Sequence, residues 1–359
     1  MLGYSVYLNQ PIDEQLERMK RYRDHGFRRI FTSLHIPEEN SATYRERLSE
    51  LGLWAKKNKM HVTADIAADS LGALRLSLNK ASQLKDIGIR ALRLDDGFDE
   101  KSAVALSNQM AIVLNASTLT PQSLAAMLRE GMIASQVTAC HNFYPRPETG
   151  LSRQAFRRSN AWFKEAGLSV AAFFPGDQNC RGPLFKGLPT LEDHRHYSPF
   201  AAFVDLLHES VDDLILGDPD MSSQVLEQFI AWDKGVILLH AHPEIQDKKL
   251  LKTLSTVQTN RPDEARDCVR SYESRMLHLV DTPILPNHHH RPRPTGSITI
   301  DNQCYGRYQG EIQISKHDLA ADEKVNRVGR IISKDLPLLQ YISGGTKFQI
   351  VWESKCTNK

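Results

Sequence analysis

Acidic and basic side chains stand together in the short apolar run Ala91–Asp95. Successive residues of a strand point to opposite faces, so Leu92 and Leu94 share one face and Arg93 and Asp95 share the other. Leucines suit the face that packs against helices, which leaves the arginine and the aspartate to point inward. Such a pair is either a structural ion pair or part of a site that binds a charged substrate and moves protons.

Polar residues also end other short apolar runs, and the same alternation directs them inward. Asp65 follows Thr63 in the third run, and Asn115 precedes Ser117 in the fifth. If these runs are parallel strands of one barrel, their polar ends converge at a single mouth. Three further runs end in Ser33 with His35, His141 with Asn142, and Gly217 with Asp218.

A proline-rich loop over residues 143–152 carries one carboxylate, Glu148, between proline and glycine corners. Phe143 and Tyr144 are its apolar neighbours. Burial among apolar groups raises the pKa of a carboxyl group because it disfavours the charge. The sequence therefore predicts Glu148 as a desolvated acid, with Tyr144 beside it available to a substrate.

A second long loop covers residues 175–195 and has no helical period. Irregular loops of this length in compact domains are usually functional or disordered. Gly187 lets backbone amides approach an anion, and Arg181, Lys186 and Arg195 add positive charge. The pattern favours an anion site over a solvated loop with ordinary glycine turns.

These residues need elements to position them, and the chain supplies eight short apolar runs separated by helical patterns. Thr120 followed by Pro121, for example, is typical of a helix start. No Gly-x-Gly-x-x-Gly follows the first run, which argues against a doubly wound sheet. The pattern predicts a (β/α)8 barrel over residues 1–235, with its chemistry at the C-terminal ends of the strands. The predicted strands are Gly3–Leu8, Arg29–Leu34, His61–Ile66, Ala91–Asp95, Ala111–Ser117, Gln136–Asn142, Ser169–Phe174 and Asp213–Gly217.

The pattern changes after Gly235, where alternating apolar residues and turn signals replace the helical period. A β-rich domain over residues 236–359 is therefore predicted. Its predicted strands are Val236–His240, Gly296–Ile300, Gly310–Ile314 and Phe348–Trp352.

Composition excludes several classes of function. Among the 359 residues, 45 Lys and Arg stand against 43 Asp and Glu, a net charge of +2 without a basic stripe, so nucleic acid is not an expected partner. No apolar run approaches the roughly 20 residues of a membrane span, and the first residues lack the pattern of a signal peptide. Five scattered cysteines do not resemble a disulfide framework, so we expect a cytoplasmic protein.

Metal and cofactor sites have no clear signature. His141, Asp65, Asp95 and Asp218 are acceptable ligand types, but the barrel runs contain neither His-x-His nor His-Glu-x-x-His spacing. His288–His290 lies among prolines and is typical of a solvated loop. We therefore expect no metal and no cofactor.

Several segments together resemble one known family. They are Gly3-Tyr-Ser-Val-Tyr, Thr63-Ala-Asp-Ile, Leu92-Arg-Leu-Asp-Asp-Gly-Phe, His141-Asn-Phe-Tyr-Pro-Arg-Pro-Glu-Thr-Gly-Leu-Ser, Phe174-Pro-Gly-Asp, Gly182-Pro-Leu-Phe-Lys-Gly-Leu-Pro-Thr-Leu-Glu-Asp-His-Arg and Gly296-Ser-Ile-Thr-Ile-Asp-Asn. The chain resembles the bacterial 6-phospho-N-acetylmuramidases, formerly called outer surface proteins. The resemblance implies a TIM-type barrel followed by a cyclophilin-like domain. It also implies cytoplasmic cleavage of N-acetylmuramic acid 6-phosphate–β-1,4–N-acetylglucosamine in peptidoglycan recycling.

Such a substrate requires a proton donor and a second carboxylate. We expect Glu148 to be the general acid and Asp95, held by Arg93 or His141, to be the nucleophile or stabiliser. Asp65 is a rival of Asp95, and Asp218 a weaker one. The expected substrate contacts are Arg181, Lys186 and Gly187 at the phosphate, Arg93 or Arg195 at the lactyl carboxylate, and His141, Asn142, Tyr144 and Asp218 elsewhere.

Other functions fit the same pattern. The 2-acetamido group of the substrate can itself attack the anomeric carbon, leaving one carboxylate to orient it. A sugar-phosphate lyase, aldolase or isomerase would use the same barrel and anion loop, although no lysine on a barrel run is available for a Schiff base. A phosphosugar-binding regulator without turnover is the remaining alternative.

Overall fold

The computed structural model describes residues 1–34, 41–67, 78–95, 97–280, 283–287 and 291–353, without the side chains of residues 41, 42, 78 and 79. His35 and His288–His290, which the sequence singled out, lie outside these residues. The chain divides into two compact units, Met1–Ser222 and Ser223–Lys359.

Eight parallel strands of the first unit form a closed barrel in chain order, each paired with its neighbours and β8 with β1. The predicted barrel is therefore confirmed, with strand ends within about three residues of the expected ones. The strands are β1 Leu2–Ser5, β2 Arg29–Ser33, β3 His61–Ile66, β4 Ile89–Leu94, β5 Ala111–Asn115, β6 Val137–Cys140, β7 Ser169–Phe174 and β8 Asp213–Leu216.

Helices alternate with these strands, and side-chain caps fix where several begin. Asp99 accepts the Ser102 amide at the start of one helix, and Thr120 forms a capping box with Ser123 at the start of the next. Each cap satisfies a backbone N–H that the first turn leaves without a partner. The helices are α1 Ile12–Asp24, α2 Ser41–Lys57, α3 Glu100–Ser107, α4 Pro121–Arg129, α5 Arg153–Glu165 and α6 Pro199–Leu207.

Apolar side chains fill the barrel below its mouth, with Phe31, Phe173 and Cys140 in one buried cluster. Phe174 points the other way and packs edge-on against Phe203 of α6. The two neighbouring phenylalanines of β7 thus lie on opposite faces of the strand, as alternation requires. A packed interior means that a substrate meets the barrel only at its end.

The second unit contains a seven-stranded mixed sheet, so its predicted β-rich character is confirmed. The strands are β9 Val236–Pro243, β10 Gln258–Thr259, β11 Cys268–Arg270, β12 Ser297–Asp301, β13 Ile312–Ser315, β14 Val325–Ile331 and β15 Lys347–Trp352, with helices α7 Ser223–Asp233, α8 Lys248–Leu254 and α9 Tyr272–Met276. Their order in the sheet is β10-β15-β9-β14-β12-β13-β11. Strand β14 was missed because its sequence, with Arg327, Gly329 and Arg330, lacks a clean apolar alternation.

Two further expectations concern chain-wide features. None of the helices in the described ranges combines the length and apolar character that a membrane crossing requires. Cys140, Cys180, Cys268 and Cys304 are free thiols.

Candidate active site

A cavity of about 320 Å³ opens at the C-terminal ends of the barrel strands. The parallel register pairs Ser33 with Asp65 and Asp65 with Arg93, so polar residues from successive strands meet at one level. The predicted convergence is confirmed for Asp65, Arg93, Asp95, Asn115 and Asn142, but not for His141 or Asp218. The cavity is lined by Phe31, Asp65, Arg93, Asp95, Asn115, Asn142, Phe143, Tyr144 and Phe173.

Arg93 is the central group of this cavity. Its Nη1 donates to Asp65 Oδ1 at 2.7 Å and lies 3.6 Å from Asp95 Oδ1, while its Nη2 donates to Asn142 Oδ1 at 2.6 Å. The residue is only 6% exposed, so the two carboxylates offset the cost of burying its charge. One guanidinium thus fixes three polar side chains from strands β3 and β4 and the segment after β6.

Asp65 is the more buried of the two carboxylates. Burial raises its pKa, and the Arg93 guanidinium and a hydrogen bond from the Ser33 hydroxyl oppose that shift. Its Oδ2 accepts from Ser33 Oγ at 3.3 Å. A raised pKa brings a carboxyl group closer to the range in which it can donate a proton.

Asp95 stands at the rim, with 26% of its side chain exposed. The contacts of its Oδ1 are long, 3.6 Å to Arg93 and 3.5 Å to Asn115 Nδ2. An accessible carboxylate with weak contacts keeps its lone pairs available to a substrate. Asp65 Oδ1 and Asp95 Oδ1 share the same Arg93 nitrogen, so they lie no farther apart than 2.7 Å plus 3.6 Å, about 6.3 Å.

Asn142 and Tyr144 reach the cavity from the segment after β6, as expected. The Asn142 amide nitrogen donates to Ser117 Oγ at 3.2 Å, and the Tyr144 hydroxyl lies 3.4 Å from the same atom. A tyrosine ring with a polar end suits contact with a sugar, whose surface is itself mixed.

His141 is not among the cavity-lining residues. It is buried, its Nε2 lies 2.7 Å from Asn160 Oδ1, and its ring packs against Phe156 and Phe163 of α5. Burial lowers the pKa of His141 to about 4, so the ring is neutral at ordinary pH. Of the two residues expected to hold Asp95, Arg93 lies beside it and His141 does not, because His141 faces the helix layer.

Glu148 is exposed, so the expected desolvation of its side chain is wrong. It has a left-handed backbone, φ 73°, and its N–H donates to Glu192 Oε1 at 2.9 Å. Glu192 also accepts the Gly150 amide. The loop thus adopts a shape that binds a neighbouring carboxylate and leaves the Glu148 side chain outside the cavity lining.

The Arg195 guanidinium forms its hydrogen bonds and its ion pair within the protein. It forms a two-point ion pair with Glu192 and also donates to the carbonyls of Lys186, Gly187 and Tyr144. Hydrogen bonds from Arg195, and then from the loop amides, lower the pKa of Glu192 to about 2. These contacts join the loops after β6 and β7, and they occupy the guanidinium that was expected at the lactyl carboxylate.

The Asp218 carboxylate also forms its hydrogen bonds within the protein. It is buried, its Oδ1 accepts the Arg181 amide at 3.0 Å, and its Oδ2 accepts the amides of Gly176 and Leu188 at 2.9 and 2.8 Å. Burial raises its pKa, opposed by these three amides. Three amides of the glycine-rich loop therefore bind this internal carboxylate and are not available to an external anion.

The basic groups of that loop have different surroundings. The Arg181 guanidinium lies 4.7 Å from the centre of the Tyr7 ring, whose hydroxyl donates to the Gly217 carbonyl. Lys186 is exposed and Gly187 is buried with φ 77°, a conformation that favours glycine. Arg181 and Lys186 are therefore the loop cations with the best access to an anion.

Two residues of these loops and their surroundings, Tyr7 and Glu192, were not predicted from the sequence. Glu192 belongs to a loop already singled out, and its position one residue before Asp193 gave no sign that it, rather than Asp193, binds Arg195. Within the described part of the chain, no group of three or more His, Cys, Asp or Glu side chains is arranged to hold a metal ion.

A closed eight-stranded parallel barrel with carboxylates and an arginine at its C-terminal mouth defines a TIM-barrel protein with an enzyme-like site. The chain belongs to the 6-phospho-N-acetylmuramidase family. The N-terminal description of that family matches residues 2–231, and the C-terminal description matches residues 237–351.

Two solved structures are similar over almost the whole chain. A conserved protein of unknown function from Enterococcus faecalis is 40% identical, with a TM-score of 0.89, covering 99% of this chain and 97% of that one. An uncharacterised protein from B. cereus is 29% identical, with a TM-score of 0.72, covering 98% and 99%. No curated protein matches the chain.

Proposed function

We propose that this protein is a glycoside hydrolase that cleaves the β-1,4 bond between N-acetylmuramic acid 6-phosphate and N-acetylglucosamine. Family membership supports the substrate class, and the cavity supplies the chemistry. The observation that carries the proposal is the pair Asp65 and Asp95 around one arginine at the barrel mouth. Peptidoglycan recycling in the cytoplasm is the process that this substrate and the free thiols favour.

Asp95 acts at the anomeric carbon in this proposal, because it is the accessible carboxylate. Asp65 supplies the proton to the leaving oxygen, because burial raises its pKa and because it lines the cavity. This assignment moves the acid from Glu148, which is exposed and lies outside the lining. The role first expected of Glu148 stays a prediction that a matched variant tests.

The spacing of the two carboxylates favours retention of configuration. A retaining pair is typically about 5–5.5 Å apart, whereas an inverting pair needs roughly 6.5–9.5 Å to admit a water. The limit of about 6.3 Å between Asp65 Oδ1 and Asp95 Oδ1 falls below the inverting range. Retention follows if Asp95 attacks the anomeric carbon, and also if Asp95 orients the substrate's acetamido group for that attack.

Arg181 and Lys186 bind the 6-phosphate in this proposal. A phosphate monoester carries about −1.5 to −2 charge at neutral pH and accepts charge-assisted hydrogen bonds. Arg93 contributes indirectly, by fixing Asp65 and Asn142.

Mass spectrometry of the protein incubated with the phosphorylated disaccharide and with its unphosphorylated twin tests the proposal. We expect cleavage of the phosphorylated form, with incorporation of one oxygen from labelled water into the muramic acid product. Release of product without that oxygen would indicate a lyase, and binding without cleavage would indicate a regulator. Proton NMR of the first product anomer then separates retention from inversion.

A further inference from the structure

A second, smaller cavity of about 160 Å³ lies beside the active-site cavity. Asp95 and Asn115 line both cavities, so the two meet at the carboxylate proposed to act at the anomeric carbon. Resting on the function proposed above, we infer that this second cavity binds the leaving sugar, an uncharged N-acetylated pyranose. The glycosidic bond would then lie over Asp95.

The floor of the second cavity is apolar. Leu94 and Leu114 are register partners on β4 and β5, and Ala103 and Met127 come from helices α3 and α4. All four are buried. Ligand pockets typically combine such a floor with a few polar groups. A sugar methyl or C–H face removes water from this floor, which stabilises the complex by roughly 25 cal/mol per Å².

The charges around the cavity select against an anionic ring. Its described lining includes Asp95, Asp99 and Glu100 but neither lysine nor arginine. Hydrogen bonds from Ser102 hold the pKa of Asp99 below its ordinary value, so this carboxylate is charged at neutral pH. A phosphate or lactyl carboxylate would meet like charges here, and like charges brought together across an interface are unfavourable.

The two sugars of the disaccharide differ in this same property. The muramic acid ring carries the phosphate and the lactyl carboxylate, whereas the N-acetylglucosamine ring carries neither. Two aspartates together with Arg93 line the larger cavity, whereas three carboxylates and no cation stand in the described lining of the cavity between α3 and α4. Charge therefore fixes the direction in which the disaccharide binds, with its neutral ring beside β4 and β5.

Size is consistent with this assignment. The second cavity has about five times the ~30 Å³ that one water occupies in the liquid. An acetamido group and the adjacent part of a ring fit such a volume. Phe98 and Leu119 line it as well and extend the apolar surface toward its opening.

Filling the cavity tests the inference. The variant Ala103→Leu adds volume to the floor, and Ala105→Leu adds the same volume to an exposed position of the same helix. The substrates are the phosphorylated disaccharide and the methyl β-glycoside of N-acetylmuramic acid 6-phosphate, which releases methanol and has no second sugar ring. We expect Ala103→Leu to lower kcat/KM at least tenfold for the disaccharide and less than threefold for the methyl glycoside. Ala105→Leu should change neither.

Thr118→Trp blocks the exposed rim of the same cavity and serves if Ala103→Leu does not fold. Equal losses on both substrates in a folded variant would overturn the inference. If wild type cleaves neither substrate, the proposed function is overturned, but the inference about the second cavity can still be tested. The test is then the binding of free N-acetylglucosamine, measured by saturation-transfer NMR. Weaker binding in Thr118→Trp than in Ala105→Leu supports the inference, and equal binding contradicts it.

Discussion

Two groups of charged residues lie at the C-terminal ends of the barrel strands or in the segments after them, and they have opposite surroundings. Asp65, Arg93 and Asp95 face an open cavity, and Asp95 keeps a quarter of its side chain accessible. Arg195, in the segment after β7, and Asp218, in the segment after β8, are surrounded by the backbone groups that they bind. Residue type alone does not distinguish the two groups. A charged side chain at a barrel mouth is available to a substrate when it faces open space. It stabilises the fold when backbone amides or carbonyls surround it.

Contacts of the second group also hold the loops at the barrel mouth in a fixed conformation. Asp218 gathers three amides of the loop after β7, and the ion pair of Glu192 with Arg195 ties that loop to the loop after β6. Preorganised surroundings reduce the ordering cost of substrate binding and hold reacting groups in position. The second group therefore fixes the position of Tyr144, whose carbonyl accepts from Arg195 and whose amide donates to the Pro189 carbonyl.

Removing the accessible carboxylate should have the largest effect. Asp95→Asn keeps the shape of the side chain but removes its charge, and we expect kcat to fall on the order of 10³-fold with little change in thermal stability. Asp65→Asn should also lower kcat and should alter the pH–rate profile, while Glu148→Gln should retain more activity than either. A loss in Glu148→Gln as large as that in Asp65→Asn would return the acid role to Glu148. Steady-state kinetics on the phosphorylated disaccharide measure all three.

Removing a loop cation should have the next largest effect. Arg181→Ala deletes a guanidinium whose hydrogen bonds to a charged group contribute about 1.5–3 kcal/mol, roughly a 10- to 100-fold loss of kcat/KM. Lys186→Ala should cost less, because an exposed ammonium is screened by salt. Arg158→Ala, an exposed arginine on α5, is the matched control. An unchanged preference for the phosphorylated over the unphosphorylated disaccharide in Arg181→Ala would place the phosphate elsewhere.

Breaking the support of the loop should reduce stability before it reduces catalysis. In Asp218→Asn one carboxylate oxygen becomes an NH₂ group, which then faces at least one backbone N–H. We expect a loss of about 1–3 kcal/mol in the free energy of unfolding, measured by denaturant titration. Asp193→Asn, at a side chain that is 59% exposed, is the control. Equal stability of the two variants would show that the amide cradle contributes nothing net.

The pH dependence of the Glu192 ion pair should give the smallest effect. Arg195 and two loop amides lower the pKa of Glu192 from its ordinary 4.5 to about 2. A lowered folded-state pKa contributes stability that is fully present above pH 4.5 and is lost as the pH falls toward 2. The melting-temperature difference between wild type and Glu192→Gln should therefore shrink over that range. A difference that stays constant from pH 6 to pH 2 would contradict this assignment.

The cavity residues were predictable because strand geometry is local and repetitive. Alternation put Arg93 and Asp95 on the inner face, and the parallel register of β3 and β4 then brought Asp65 to Arg93. Alternation also accounts for His141, which was misplaced: Cys140 lies in the barrel core and Asn142 lines the cavity, so His141 between them points to Phe156 and Phe163 in the helix layer.

The sequence by itself determined the barrel, the β-rich second domain and the set of polar residues at the mouth, since these depend on periodicities of a few residues. Only the tertiary structure decided which of those residues are free to meet a substrate. Asp218 meets amides about 30 to 40 residues away in the chain, and Glu192 meets the Glu148 amide 44 residues away. The folded paths of two loops bring these partners together. They matter because a charge removed from water is stable only where the fold supplies hydrogen-bond donors to it.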